Sequence, residues 1–439
     1  MFCGNIKINK MEPMYQFDED ANILTIKCNS GELINENNIK VLNGNIFPND
    51  YDVIFYRNKG FDYSGKKDSY DVDMLINKKY SDLGVSKIKF RLKELDYMLS
   101  GLKRIYENPF NFSNITIQDF NNLNSKDYEI EIEKKKMKFI IEHSYDVMSN
   151  SLSPINFHLS LSVKYDFKDD YDLIYKTINC VKKLFSFLCY RNNICFECIE
   201  IFDKNKDNKF LSNGIIKYYE KIYNEKDIEK DINKSVIPFY LVRDKFDNIF
   251  QRIIDNKIGL RYLPNSYSSR KTYLPPRLIM ICSTFEFEFR ESFGNKIEHK
   301  NKTLSNRKNV KNILDEVIKV KKLNSDEKAI IKRLKKLVDS ENYSTMVREI
   351  IKKSDLFECI SKSYYKKSFK PYDITPLCNT LETMRNNMAH YKIEGSYEES
   401  RLFAISFLEI IIYSMQLKCC GIDEKNIIEI IKSIFPKKI

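Results

Sequence analysis

Apolar and polar residues alternate with a period of two across much of the first half of the chain, whereas apolar residues recur every three to four positions across most of the second. A period of two puts successive side chains on opposite faces of a strand, and a period near 3.6 builds one face of a helix. The clearest alternation runs from Asn156 to Tyr165: Phe157, Leu159, Leu161, Val163 and Tyr165 fall on one face, His158, Ser160, Ser162 and Lys164 on the other. Shorter strands are expected at Ile23 to Cys28, Val53 to Arg57, Tyr128 to Glu133 and Met137 to Glu142, separated by Asn, Asp, Gly and Ser clusters that turn a chain. The pattern predicts a twisted antiparallel sheet or sandwich. One helix interrupts it from about Asp170 to Tyr190, with Leu173, Ile178, Val181, Leu184, Phe185 and Leu188 behind an acidic start at Asp169, Asp170 and Asp172 that suits the positive end of the helix dipole.

The polar stretch Asn224 to Ser235 reads as a linker, and beyond it the periodicity turns helical. Helices are expected at about Phe239 to Asp255, Pro275 to Phe293, Val310 to Val320, Ser325 to Val338, Tyr343 to Lys352, Pro376 to Tyr391, Tyr397 to Leu417 and Glu424 to Ile434. Amphipathic helices with short connections bury their stripes most simply as an up-and-down bundle. The expected fold class is therefore α+β, a β-rich N-terminal domain over residues 1–235 followed by an all-α helical bundle over residues 236–439.

A length of 439 residues, with 43% hydrophobic and 31% charged side chains, fits two folded domains and excludes extensive disorder. The opening residues Met1 to Lys10 lack an apolar core of signal-peptide length, and the apolar run Phe403 to Tyr413 is short and carries Glu409, so no membrane partner is expected. Eleven cysteines are scattered without a framework, several of them, Cys180, Cys189, Cys282 and Cys378, within apolar helical patterns. That usage fits a reducing cytoplasm. Cys195 and Cys198 have a suggestive spacing but lie in the strand-like run Ile194 to Phe202 with no matching second pair, so no zinc site is read there. The net charge of +12 favours a polyanionic partner, although the abundance of Lys, Ile and Asn also fits codon bias, and charge alone does not decide the matter.

Of the four histidines, His158 lies on the polar face of a strand, His143 follows a strand end, and His299 lies in a charged stretch after Gly294. His390 differs. It closes the run Leu377-Cys-Asn-Thr-Leu-Glu-Thr-Met-Arg-Asn-Asn-Met-Ala-His-Tyr391, in which Leu377, Leu381, Met384 and Met388 form a core-facing stripe and Arg385 and Asn386 come just before the histidine. An Arg followed by a polar residue, a short spacer and His, late in a C-terminal helical bundle and downstream of a separate helix bearing Glu286, resembles the HEPN ribonuclease superfamily. Arg385, Asn386 and His390 match its motif in full. The helix Leu278 to Phe293, with Cys-Ser-Thr-Phe-Glu-Phe-Glu-Phe-Arg-Glu, is similar to the first long helix of the ApeA-like HEPN branch, in which a Glu ends an apolar half-turn; Glu286 is the matching position. That branch also carries a β-rich N-terminal domain with a helix ending in a Phe-Leu-like motif, which Leu184-Phe-Ser-Phe-Leu188 resembles. The likeness spans nearly the whole chain, with the C-terminal motifs the more specific. It implies abortive infection in anti-phage defence, cleavage of host RNA with tRNA the expected substrate, a homodimer formed through the HEPN domain, and a phage-encoded trigger. It implies no cofactor and no metal.

The chemistry also follows from the residues. RNA carries its own nucleophile, the 2′-hydroxyl, so cleavage needs a base to deprotonate it, an acid for the departing 5′-oxygen, and positive charge on the phosphate. His390 titrates in the range that serves as base or acid, and Arg385 is a permanently charged fork for phosphate oxygens. At about 100° per residue, Asn386 and His390 share a helix face while Arg385 projects elsewhere, so a second copy across a twofold axis is expected to complete the site. Asn386 would position His390 or a ribose oxygen, and Glu286 would orient Arg385; Glu288 and Glu291 are rival carboxylates on the same helix. Plainer readings stand beside these. Arg and His late in a helix often only cap carbonyls, and the basic stretch Lys300 to Lys336 is either an RNA groove or a solvated face. The alternatives in function are a catalytically silent HEPN module that binds RNA or a partner, and a pure interaction protein.

Overall fold

A computed structural model describes residues 1–8, 12–27, 36–47, 51–63, 67–80, 83–98, 126–147, 155–219, 235–293, 301–339, 342–353, 374–389 and 399–435. The chain forms two compact units: Met1–Asn256 with Leu263–Lys271, and Lys257–Tyr262 with Thr272–Ile439.

The first unit is built on antiparallel strands: β1 (Phe2–Lys7), β2 (Met14–Asp18), β3 (Ile23–Lys27), β4 (Glu36–Ile46), β5 (Tyr51–Tyr63), β6 (Lys67–Asp71), β7 (Met74–Lys78), β8 (Lys87–Arg91), β9 (Asp127–Ile132), β10 (Lys135–Val147), β11 (Ile155–Lys164), β12 (Cys198–Lys204) and β13 (Phe210–Tyr218). Their hydrogen-bonded order is β6-β3-β2-β1-β4-β5-β7-β13-β12-β8-β11-β10-β9. Strand β1 divides its pairing, Phe2 to Asn5 with β2 and then Ile6 and Lys7 with β4. The crossing is tight: a Cβ on Gly4 would lie 1.7 Å from the Asn45 carbonyl oxygen, so only glycine fits. At this hand-over the sheet folds back on itself. Phe17 on β2 and Phe55 on β5 pack with tilted rings, centroids 5.3 Å apart, although three strand spacings, about 14 Å, separate those strands along the ladder. Tyr15, Phe17, Leu24, Ile26, Leu42, Val53, Phe55 and Leu75 fill the core so enclosed.

The other half of the sheet is covered by helices. A short helix, α1 (Lys93–Met98), follows β8, and α2 (Tyr171–Leu188) begins at Asp170, whose side chain accepts a hydrogen bond from the Leu173 N–H at 3.0 Å. Leu184 to Leu188 are buried at its end. Just beyond, the buried Arg191 guanidinium meets the Glu94 carboxylate of α1 at 2.5 Å. Helix α3 (Phe246–Ile254) packs Phe246 and Phe250 on Tyr128 and Phe139, each pair with centroids 4.9 Å apart. Its Gln251 side chain accepts from the Glu131 N–H at 2.9 Å and donates to the Glu131 carbonyl at 3.2 Å. This pairs the backbone of Glu131 on β9, the last strand of the sheet among the described residues. The first unit therefore extends beyond the expected boundary at residue 235. The periodicity of residues 239–254 reports an amphipathic element but not the surface it packs on. That element is also less regular than expected, two 3₁₀ turns over Phe239–Leu241 and Arg243–Lys245 before the α-helix.

The second unit carries helices α4 (Pro275–Phe293), α5 (Asn301–Val320), α6 (Ser325–Asp339), α7 (Tyr343–Lys353), α8 (Ile374–Ala389), α9 (Glu399–Cys419) and α10 (Glu424–Ile434). Helix α4 packs on α8 and α9, α8 also meets α7 and α9, α10 lies on α9, and α5 pairs with α6. Helix α5 begins at Asn301, well before Val310, because residues 301–309 are helical without an apolar stripe to announce them. Among the described residues one stretch, Arg401–Cys419, is long and apolar enough to cross a membrane; 72% of its most apolar window is buried inside the protein, as in a core helix. Polar residues within it fix its register. Glu409 pairs with Arg277 at 2.5 Å and accepts from the Tyr273 hydroxyl at 2.6 Å, while Gln416 bonds Glu288 and the Gly259 carbonyl.

Candidate active site

Helix α4 opens on Pro275 and Pro276, whose fixed φ and missing N–H suit a first turn. Its buried residues Leu278, Ile281, Cys282, Phe285 and Phe289 recur at spacings of three and four and face the core. Glu286 comes one position after Phe285, at the rim of that apolar face. Helix α8 repeats the design: Leu377, Cys378, Leu381 and Met384 are buried, and Arg385 follows at the rim.

The two rims meet. Arg385 Nε donates to Glu286 Oε1 at 3.2 Å, with the arginine side chain 43% exposed and the glutamate 24%. Arg385 Nη1 also donates to Asn386 Oδ1 at 3.3 Å. One turn further along α4, Arg290 Nη2 lies 3.7 Å from Glu286 Oε2. One carboxylate thus stands between two guanidinium groups. The rival carboxylates do not share this place. Glu288 is fully buried on the other side of α4, where Oε1 accepts from the Gly259 N–H at 2.7 Å and from Gln416 Nε2 at 2.8 Å, and Glu291 is exposed.

No protein-family model, curated protein or solved structure matches this chain, so the site is read from its own geometry.

Beneath the charged rim the floor is apolar and neutral. Cys282 lies one turn before Glu286, and burial pushes its thiol up to about 12. Burial likewise raises the Tyr343 hydroxyl at the start of α7, whose ring packs on Phe285 with centroids 5.0 Å apart. Neither group ionises near neutrality. A dry floor on one side of a half-exposed ion pair raises the effective strength of charges held there above its value in open water.

His390 lies outside the described residues, and α8 is described as far as Ala389. Side chains are described through Asn387, so the stripe position Met388 is also outside. His299 falls outside as well, and so does the side chain of His143. His158, for which the sequence offered no partner, has Nδ1 3.3 Å from Asp96 Oδ2, while Asp96 Oδ1 accepts from the Leu159 N–H at 2.7 Å; the pair ties α1 to β11. Among the described residues no group of three or more His, Cys, Asp or Glu is placed to hold a metal ion. Cys195 and Cys198 form no disulfide, and the expected strand starts only at Cys198.

Two further surfaces bear on nucleic acid. Lys321, Lys322, Lys332, Arg333 and Lys336 are exposed on α6 and the loop before it, a net-positive set although Asp326 and Glu327 are exposed in the first turn of the helix. The first unit contains a cavity of about 670 Å³ lined by residues that include Lys7, Asp52, Lys78 and Asp169, with the buried Lys78 ammonium held 2.8 Å from Asp169. Its lining mixes both signs and does not match the single-sign surface that a phosphate backbone selects. Arg290 is the member of the site that sequence reading left out. Its signal was available, since it stands four residues after Glu286, the spacing at which helical side chains pair.

Proposed function

We propose that this chain is a metal-independent endoribonuclease of the HEPN type, with Arg385, Asn386 and His390 as its catalytic residues and Glu286 as the positioning carboxylate. The observation that carries the reading is the Glu286–Arg385 contact, made between two helices across 99 residues of sequence. An ion pair this exposed contributes at most about 1 kcal/mol to stability. Its useful effect is orientation. Arg385 meets Glu286 through Nε and Asn386 through one N–H of Nη1, and the fork carries further N–H donors on Nη1 and Nη2 with which to grip a phosphate.

In this reading the RNA 2′-hydroxyl attacks the adjacent phosphorus, His390 moves the proton to or from the reacting oxygens, and Arg385 stabilises the charge that builds on the non-bridging oxygens. The bond to the 5′-oxygen breaks, leaving a 2′,3′-cyclic phosphate and a 5′-hydroxyl. A second copy supplies the second histidine needed when one acts as base and the other as acid. Host RNA, with tRNA the expected substrate, fits the positive surface on α6. The resemblance of the Arg385–His390 and Glu286 segments supports a role in anti-phage defence by abortive infection in the cytoplasm, with the β-rich unit as sensor of a phage-encoded trigger or as RNA-positioning element.

The test is to incubate wild-type, Arg385→Ala and His390→Ala proteins with total tRNA in excess EDTA. Discrete cuts made by the wild type alone are expected. Binding of tRNA without cutting by any of the three, with infected-cell extract added, would replace the enzyme by a catalytically silent RNA-binding module.

A further inference from the structure

Cleavage by Arg385 and His390 makes no use of Arg290. This arginine is 65% exposed near the end of α4, one helical turn beyond Glu286, and its Nη2 lies 3.7 Å from Glu286 Oε2. That separation is too long for a hydrogen bond, so the contact steers the guanidinium without occupying its N–H donors. An ion pair so exposed contributes little to stability. Its placement is more informative. Glu286 Oε1 accepts from Arg385 Nε at 3.2 Å while Oε2 faces Arg290, so one carboxylate divides between arginines from two helices. The two guanidinium groups are held within a carboxylate's width and two short contacts of each other, which like charges do not do unaided. Together the three side chains carry one net positive charge.

The direction in which this charge extends is also fixed. Cys282, Glu286 and Arg290 recur every four residues and so follow one face of α4, each step advancing about 6 Å along the helix. A strand with one phosphate on Arg385, at the level of Glu286, brings its next phosphate to Arg290 if it continues toward the end of α4. In the opposite direction the row reaches Cys282, buried and neutral, which offers a phosphate nothing. Glu291, the nearest competing charge in sequence, is turned about 100° away around the helix.

We propose that Arg290 is a second phosphate-binding residue, gripping the phosphate next to the one held by Arg385 on the same RNA strand. The site then takes two successive phosphodiesters and selects an internal stretch of RNA over a dinucleotide. This rests on the reading of Arg385 as a phosphate-binding residue and gives Arg290 no part in proton transfer. The alternative role for Arg290 is to hold Glu286 in place, without touching RNA.

Binding of total tRNA to the His390→Ala protein, followed by fluorescence anisotropy over a series of KCl concentrations, tests this in the absence of cutting. Adding Arg290→Ala should weaken binding about tenfold, as expected for one charged hydrogen-bonded contact, and lower the slope of log affinity against log salt by about one. Arg290→Lys, which keeps a point charge for phosphate, should retain most of the affinity. The same loss should appear when Glu286 is already Gln. A loss that vanishes in that background would make Arg290 a support for Glu286 and overturn the proposal. Phosphate-ethylation interference on a purified tRNA that binds then locates the contact. The phosphate whose ethylation ceases to matter in Arg290→Ala is expected beside the one that ceases to matter in Arg385→Ala; positions apart on the strand would overturn the proposal. So would unchanged affinity and salt slope in Arg290→Ala, or no tRNA binding by the parent. Cutting by the wild type is scored separately. Binding with this dependence but no cutting removes the nuclease and keeps the second phosphate contact, whereas cutting with Arg290→Ala bound as tightly as its parent does the reverse.

Discussion

Glu286 and Arg385 each stand one position beyond a buried apolar residue, and that rim location decides what the pair can do. Largely buried, as the Arg277–Glu409 pair is, an ion pair becomes a stability determinant that is costly to break. At the rim it remains accessible to a substrate while its geometry is fixed by two packed helices. Glu286→Gln should therefore leave unfolding free energy within about 1 kcal/mol of wild type. The same change should lower the single-turnover cleavage rate by about tenfold, against about a hundredfold or more for Arg385→Ala, which removes the charge on the phosphate. Equal loss of rate and of stability in Glu286→Gln would make the glutamate structural. The thiols give a second residue-level expectation. Burial pushes Cys189 and Cys282 up to about 12, so neither forms thiolate at pH 8, whereas Cys3 and Cys195 are exposed. Maleimide should label the exposed pair in the folded protein and reach Cys189 and Cys282 only after denaturation. Both buried thiols have folded values above their ordinary 9.0. Their contribution to stability is therefore complete below pH 9 and is lost as the pH rises toward 12, which a series of alkaline melts would detect.

Among the elements, α9 shows why apolarity alone misleads. Its long apolar run satisfies the requirements of length and composition for a membrane span, yet Glu409 and Gln416 give it a fixed register in the helical unit. Arg277→Ala leaves the Glu409 carboxylate buried without its counter-charge and should cost about 3–5 kcal/mol, measured by urea denaturation. A cost below about 1 kcal/mol would mean that water reaches that carboxylate. The strong periodicities were legible in the sequence: Asn156 to Lys164 lies on β11, which ends one residue before the expected Tyr165, Asp170 caps α2, and the expected helices from Pro275, Ser325, Tyr343 and Glu424 are all present. Less legible were β1, β2, β4, β6, β7, β8 and β13. Of these, β2, β6, β7 and β8 are five residues long, too short for an alternation to stand out, and β7 is buried at four of its five positions, so it has no polar face to show. Helix α3 shows a different limit. Its amphipathic pattern was readable, but its attachment to the edge strand β9 depends on Gln251, a residue that no pattern distinguishes from a solvated one.

In the molecule as a whole, a folded-over antiparallel sheet with its own helices makes one unit and a helical assembly makes the other, which is the α+β organisation the periodicities predict. Half of the candidate site was legible in the same way. The sequence placed Glu286 and Arg385 on separate helices, and the resemblance singled out Glu286, but periodicity left Glu288 and Glu291 as rivals, because neighbouring carboxylates differ only in the direction each faces. Packing makes the choice, turning Glu288 inward to Gln416 and Glu286 toward Arg385. The most direct test of the proposed activity is the chemistry of the RNA ends. After digestion of tRNA by the wild-type protein in excess EDTA, the expected products carry 2′,3′-cyclic phosphate and 5′-hydroxyl ends, and His390→Ala yields none. Ends bearing 3′-hydroxyl and 5′-phosphate, or equal cutting by His390→Ala, would contradict a histidine-driven attack by the 2′-hydroxyl.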